Sequence, residues 1–211
     1  VMDDLQRHIT KKPMRVLGYG NVRGVDLERF NPTRFEAHKN ENVFTYVFVG
    51  RIVGDKGLNE LVSAFVRLHG KYGQTRLVLV GKYEENLDPL IPETLDAILN
   101  NEAIDACGPK YGDDLLQAYV DADCFVMPSY REGFPNTVME AGAMNLPSIV
   151  TDINGSREII IEGKSGYIVP SKDANALYAA MEKMLTDDAA RESMANNARP
   201  LIESRFEKGF V

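Results

Sequence analysis

The run Gly50-Arg51-Ile52-Val53-Gly54-Asp55-Lys56-Gly57 sets two cations five positions apart on a glycine-bearing loop. Ahead of a helix, such a loop lets backbone amides approach an anion. Its two side chains can then neutralise charge that builds on a departing phosphate. A diphosphate clamp is one reading of these residues, and a solvated basic loop is the other.

A second run, Pro128-Ser129-Tyr130-Arg131-Glu132-Gly133-Phe134-Pro135-Asn136-Thr137-Val138-Met139-Glu140-Ala141, also leads into a helix. Pro135, Asn136 and Thr137 suit a helix start, so their neighbouring amides and the helix dipole favour an anion there. Carboxylates at such a place make chemical sense if they bind hydroxyls, because sugar and ribose hydroxyls are donors and an ionised carboxylate is a good acceptor. Read in isolation, Glu140 is a satisfied half-buried acid and Glu132 a surface charge. The Gly133-Phe134 pair beside Glu132, directly after an apolar run, favours the binding reading.

The elements that must hold these loops come from hydrophobic periodicity. The apolar runs Thr45–Gly50, Arg76–Gly81, Ala103–Cys107, Cys124–Met127, Ser148–Thr151 and Tyr167–Val169 read as short buried strands. Between them, helices are expected over 57–72, 89–100, 113–120, 137–143 and about 156–161. Two more follow, over 173–185 and roughly 189–203. Strand–helix alternation of this kind predicts an α/β fold, a Rossmann-like doubly wound parallel sheet, with function in the loops at the carboxyl ends of the strands. The expected division is a linker or edge segment over 1–42, a ligand-binding domain over 43–186 and a C-terminal helical segment over 187–211, itself truncated.

Together the motifs resemble the C-terminal domain of the family-4 retaining glycosyltransferases of the GT-B architecture, of the bacterial capsule or lipopolysaccharide type. Gly50-Arg51 with Lys56-Gly57 carries the resemblance, as does Glu132-Gly133-Phe134-Pro135 with seven residues between Glu132 and Glu140. The stretches Glu140–Val150, Gly163–Pro170 and Gly24–Pro32 fit the same pattern, so the likeness covers nearly the whole chain. It implies that Arg51 and Lys56 hold the donor diphosphate with Gly50 close by, and that Glu132 faces the transferred sugar beside Gly133, Phe134 and Pro135. Amides at Asn136 and Thr137 would join the diphosphate site, Glu140 would bind the ribose, and Pro109 and Lys110 would lie by the base. Arg51, Lys56 and Glu132 are the catalytic candidates. The resemblance further implies a nucleotide-diphosphate sugar as donor, UDP-linked by the family's usage, with no cofactor and no metal. One departure is Gly81-Lys82-Tyr83-Glu84, where many relatives carry a Gly-x-Gly loop.

The chain starts with Val, which points to a fragment. In the family the acceptor site belongs to an N-terminal domain, so the fragment is expected to bind donor weakly and transfer nothing. Any peripheral membrane contact would come through that other domain, at the inner face of the membrane of a cytoplasmic protein.

Composition bounds the alternatives. Of 211 residues, 44% are hydrophobic and 26% charged, an ordinary globular balance. The net charge of −7, without a basic run, argues against nucleic acid. No apolar stretch approaches the ~20 residues that span a bilayer. Cys107 and Cys124 read as buried thiols. No Asp-x-Asp motif appears, and His8, His38 and His69 show no metal spacing. A dinucleotide oxidoreductase would need a Gly-x-Gly-x-x-Gly turn, which is absent. A non-catalytic nucleotide-sugar-binding module would have no need of Glu132, and a sugar-nucleotide epimerase would act without an acceptor.

Overall fold

The computed structural model describes residues 7–13 and 23–210. Much of the expected linker, including Gly18 and Gly20, lies outside the described residues. Six strands, β1 (Phe44–Val49), β2 (Thr75–Val80), β3 (Ile104–Gly108), β4 (Cys124–Met127), β5 (Ser148–Thr151) and β6 (Gly166–Val169), form one sheet. Their order is β3-β2-β1-β4-β5-β6 and every neighbouring pair is parallel. This is the doubly wound, Rossmann-like arrangement, in which the order reverses between β1 and β4 and leaves a crevice at their carboxyl ends.

Both faces of the sheet are covered, as short continuous apolar strands require. Alternation along β1 sends Tyr46 and Phe48 to one face and Val47 and Val49 to the other. On the first face lie α1 (Leu58–Tyr72), α2 (Pro92–Asn100) and α6 (Ala174–Thr186), with Leu61, Phe65, Leu177 and Met181 in the core. On the second lie α3 (Gly112–Val120), α4 (Asn136–Ala143), the single turn α5 (Ser156–Ile159) and α7 (Asp188–Phe206), contributing Tyr119, Val138, Ile159 and Ile202.

α2 begins three residues later than its first proline suggests. Two prolines stand here, and Ile91 precedes the second, so it is held extended at φ −67°, ψ 152° and Pro92 takes the first turn. Residues 89–91 therefore stay outside the helix, and Leu90 is buried in the core beside α1. α6 starts where Asp173 accepts from the amides of Asn175 and Ala176. α7 runs past its expected end despite Pro200, because Leu201, Ile202 and Phe206 continue its buried stripe. Cys124 is buried as expected, whereas Cys107 is only half-buried, facing a cavity.

The segment from Arg23 to Phe35 is fastened to this second layer. Val25 pairs with Glu207 in a parallel bridge. Arg199 on α7 donates to the carbonyls of Leu27 and Phe30 and to Ala143 at the end of α4. Gly142 of α4 packs so closely on α7 that a Cβ there would lie 2.7 Å from Ile202 Cγ1. The small residues after Glu140 thus seat α4 against α7.

Gly57 is a tight joint at the crevice. Its φ is +73°, and a Cβ would fall 2.1 Å from the carbonyl oxygen of Pro128. Gly163 has a similar φ of +71° with open space around it. Left-handed backbone alone costs an L-residue about 1–2 kcal/mol. Gly163→Ala is therefore expected to destabilise by about that much, and Gly57→Ala by at least ~2 kcal/mol more through the added clash. Urea unfolding of the two variants checks the difference, and equal losses would contradict the close packing of the two loops.

Candidate functional site

The loop after β1 and the loop after β4 flank the point where strand order reverses, and the two are knitted together. Beyond the Gly57–Pro128 contact, the Tyr130 amide donates to the carbonyl of Asp55 at 2.8 Å. The Tyr130 hydroxyl lies 2.8 Å from both carboxylate oxygens of Glu60 on α1. Arg131 pairs with Asp55 at 3.3 Å.

At the centre of this joint Lys56 Nζ lies 2.5 Å from Glu132 Oε1, with the two side chains 15% and 13% exposed. The same oxygen accepts from Ser129 Oγ at 2.8 Å. Screening is weak at such burial, and losing either partner would leave a charge poorly compensated. Arg51 is different: half-exposed, it pairs with Glu84 at 3.4 Å. That pair contributes about 0–1 kcal/mol and leaves most of the guanidinium donors free for another anion. The residues after Gly81 thus supply a carboxylate to Arg51. The loops run side by side there, the Ile52 amide donating to the Lys82 carbonyl and a Gly81 Cβ being barred by the carbonyl of Gly50.

Pro135 caps α4 with φ −74°, ψ 109° and no side-chain hydrogen bond to the first turn. The first amides of a helix have no partner within it, so Asn136 and Thr137 present donors at the crevice. Gly133 is exposed, Phe134 packs 5.6 Å from the Phe206 ring, and a Gly155 Cβ would meet the Gly133 carbonyl at 2.4 Å. The Glu132–Phe134 loop is therefore supported from β5's side by the turn before α5.

Glu140 sits in the second turn of α4, half-buried, and accepts from the fully buried Tyr119 hydroxyl at 3.1 Å. Burial pushes its carboxyl above the ordinary 4.5, while the Tyr119 hydrogen bond and the charge of Arg29 pull it back. It borders a cavity of about 360 Å³ together with Asn136, Met139, Arg23, Arg29 and Lys208.

Lys56, Glu132, Gly133, Phe134 and the start of α4 therefore share one place, with Gly50 and Arg51 on its β1–β2 side. Pro109 and Lys110 do not join them by any hydrogen bond or ion pair among the described residues. Lys110 borders a different cavity, of about 410 Å³, with Arg76, Cys107 and His38. The sequence pattern did not single out Glu84, Tyr119 or Glu60. Each is a partner brought in by tertiary packing, and none stands at a telling spacing from the glutamates. Ser129 shapes its loop through its bond to Glu132. His69, near the end of α1, is half-buried, stacked on Phe65 and bonded to Thr75 at 3.0 Å.

The geometry defines a Rossmann-like α/β domain whose crevice carries cations, helix amides and two held carboxylates. The comparisons make the class specific. The family described as glycosyl transferases group 1 matches residues 30–200, and the chain belongs to it. It is 32% identical over 202 residues to the capsular polysaccharide biosynthesis glycosyltransferase CapM of Staphylococcus aureus, covering 93% of this chain and 52% of that protein. The chain thus spans about half the length of the curated relatives it matches. Among solved structures, sucrose-phosphate synthase from Thermosynechococcus elongatus superposes with a TM-score of 0.79 at 25% identity, over 98% of this chain and 52% of that one. HepE of Anabaena in complex with UDP-glucose shares the fold, with a TM-score of 0.73 at 18% identity over 88% and 52% of the two chains. No helix among the described residues is long and apolar enough to cross a membrane.

The raised carboxyl of Glu140 gives a prediction with a definite sign. A folded-state pKa above the unfolded one means the fold holds the proton more tightly, so stability falls as pH rises from about 4.5 through the folded value. Glu140→Gln keeps an acceptor for Tyr119 and removes the titrating carboxyl. Its stability relative to the parent should rise with pH across that window and level off above it. Thermal unfolding between pH 4 and 8 checks this. A relative stability that falls with pH would contradict it.

Proposed function

We propose that this chain is the donor-binding half of a retaining glycosyltransferase that moves a sugar from a nucleoside-diphosphate donor to a hydroxyl acceptor. The reading extends to UDP as the nucleotide and to polysaccharide or lipid-linked glycan synthesis as the setting. The observation that carries it is the Lys56–Glu132 pair, 2.5 Å long, placed where strand order reverses and beside the first turn of α4. An ammonium has three donors, and only one is engaged with Glu132. The others remain for phosphate oxygens, so the pair joins the diphosphate and sugar ends of the site through one residue. The capsular relative's name and the UDP-glucose held by a fold neighbour support the choice of class and nucleotide.

In this reading the bond from the sugar's anomeric carbon to the diphosphate breaks and its electron pair goes to the phosphate. The acceptor oxygen bonds the anomeric carbon and its proton leaves with the nucleoside diphosphate. Arg51, Lys56 and the Asn136 and Thr137 amides offset the charge that develops, without a metal. Glu132 holds the sugar's hydroxyls with Gly50, Gly133, Phe134 and Pro135 lining its place. Glu140 holds the ribose, and the base extends towards Pro109 and Lys110. Acceptor and any membrane contact belong to a second, N-terminal domain on the cytoplasmic side. Holding two reactants in line across the crevice is worth several kcal/mol of the barrier, by order of magnitude. The half described here therefore binds donor and transfers nothing alone.

Calorimetric titration with UDP, GDP and ADP and their common sugars tests this. One nucleotide should bind, and Arg51→Ala or Lys56→Ala should each weaken it by about tenfold or more, the scale of a charge-assisted contact. Binding indifferent to both substitutions, or turnover by the 211-residue chain alone, would contradict the reading.

A further inference from the structure

A flexible carboxylate recognises a hydroxyl well only if its own orientation is settled beforehand. The two glutamates of the site meet this requirement in the same way. Ser129 is fully buried, and its Oγ donates to Oε1 of Glu132 at 2.8 Å. Ser129 is itself fixed, because its backbone carbonyl accepts from Thr151 Oγ1 at 2.5 Å, a buried hydroxyl at the end of β5. Tyr119 is likewise fully buried on α3, and its hydroxyl donates to Oε2 of Glu140 at 3.1 Å. Lys56 bonds the same oxygen of Glu132 that Ser129 bonds. Among the described residues no hydrogen bond reaches Oε2 of Glu132 or Oε1 of Glu140.

We infer that Ser129 and Tyr119 are positioning residues, each holding one oxygen of a glutamate so that the other is presented to a ligand hydroxyl. Ser129 acts through Glu132 on the transferred sugar, and Tyr119 acts through Glu140 on the ribose. The assignment rests on the donor-site reading and adds two residues and a division of labour to it. At Glu132 the open oxygen, and not Oε1 with its ammonium and hydroxyl donors, is the one that faces the sugar.

The two roles separate in binding experiments on the complete polypeptide, using the nucleotide pair that the titrations select, with UDP and UDP-glucose first. Ser129→Ala should leave UDP affinity within about twofold. It should cut the extra affinity contributed by the sugar about tenfold, the scale of one charge-assisted hydrogen bond. Tyr119→Phe should weaken UDP and UDP-glucose equally, by about five- to tenfold. In a Glu132→Ala background Ser129→Ala should add less than about twofold, and Tyr119→Phe should behave the same way in a Glu140→Ala background. Unchanged melting temperatures would exclude unfolding as the cause of these losses. Equal loss of both ligands in Ser129→Ala, or full additivity with the glutamate substitutions, would overturn the positioning roles while leaving the donor site standing. A parent protein that binds no nucleotide would overturn the donor site itself and this assignment with it.

Discussion

Everything at the crevice depends on how closely the chain after β1 can approach the chain after β4. Gly57 meets the Pro128 carbonyl at a distance that leaves no room for a side chain, and its left-handed backbone turns Leu58 directly into α1. That contact lets Lys56, the last residue before the glycine, reach across the strand boundary to Glu132. A parallel doubly wound sheet provides one place where two neighbouring strands send their following helices to opposite faces, and here that place lies between β1 and β4. The close joint turns this general crevice into a site with a cation, an acceptor and helix amides within one reach.

Polar groups this poorly solvated are costly unless bonded, and the surrounding structure is largely devoted to bonding them. Ser129 answers to Thr151 and Tyr130 to Glu60 and to the Asp55 carbonyl, while the half-exposed Arg51 pairs with Glu84. The supports come from β5, α1 and the loops after β1 and β2, so rigidity at the site is drawn from four parts of the sheet layer. Asp55 is bonded on one side only: its buried Oδ1 has no hydrogen-bond partner among the described residues, while Oδ2 receives Arg131. On the far side, Arg199 ties the 27–30 segment to α7 and to the end of α4, so the helix carrying Glu140 is held at both termini.

The sequence showed the fold well because six short apolar runs alternate with amphipathic stretches, and two of those runs, Cys124–Met127 and Ser148–Thr151, have the bounds expected of them. It failed where two local signals compete. At Pro89 and Pro92 either proline could open a helix, and the burial of Leu90 with the extended conformation imposed on Ile91 decided for the second. For the site, motif spacing marked the residues that could touch a ligand, and the structure brings Lys56 to Glu132. It could not mark the residues that orient them. Tyr119 reads only as one apolar position on α3, and Glu84 as one acid in a polar loop, until packing sets each against its partner. Arg51 and Lys56 illustrate the same limit. Read together as one clamp, each has its own carboxylate here, and which donors remain for an anion is a matter of three-dimensional geometry.

The most direct test is a crystal structure of the protein with a nucleotide sugar bound. The account predicts the diphosphate between the Gly50–Gly57 loop and the first turn of α4, in contact with Lys56. It places the sugar's hydroxyls on the open oxygen of Glu132 and the ribose on Glu140. A ligand lodged elsewhere, for example in the cavity bordered by His38, Arg76 and Lys110, with the Lys56–Glu132 pair untouched, would contradict it.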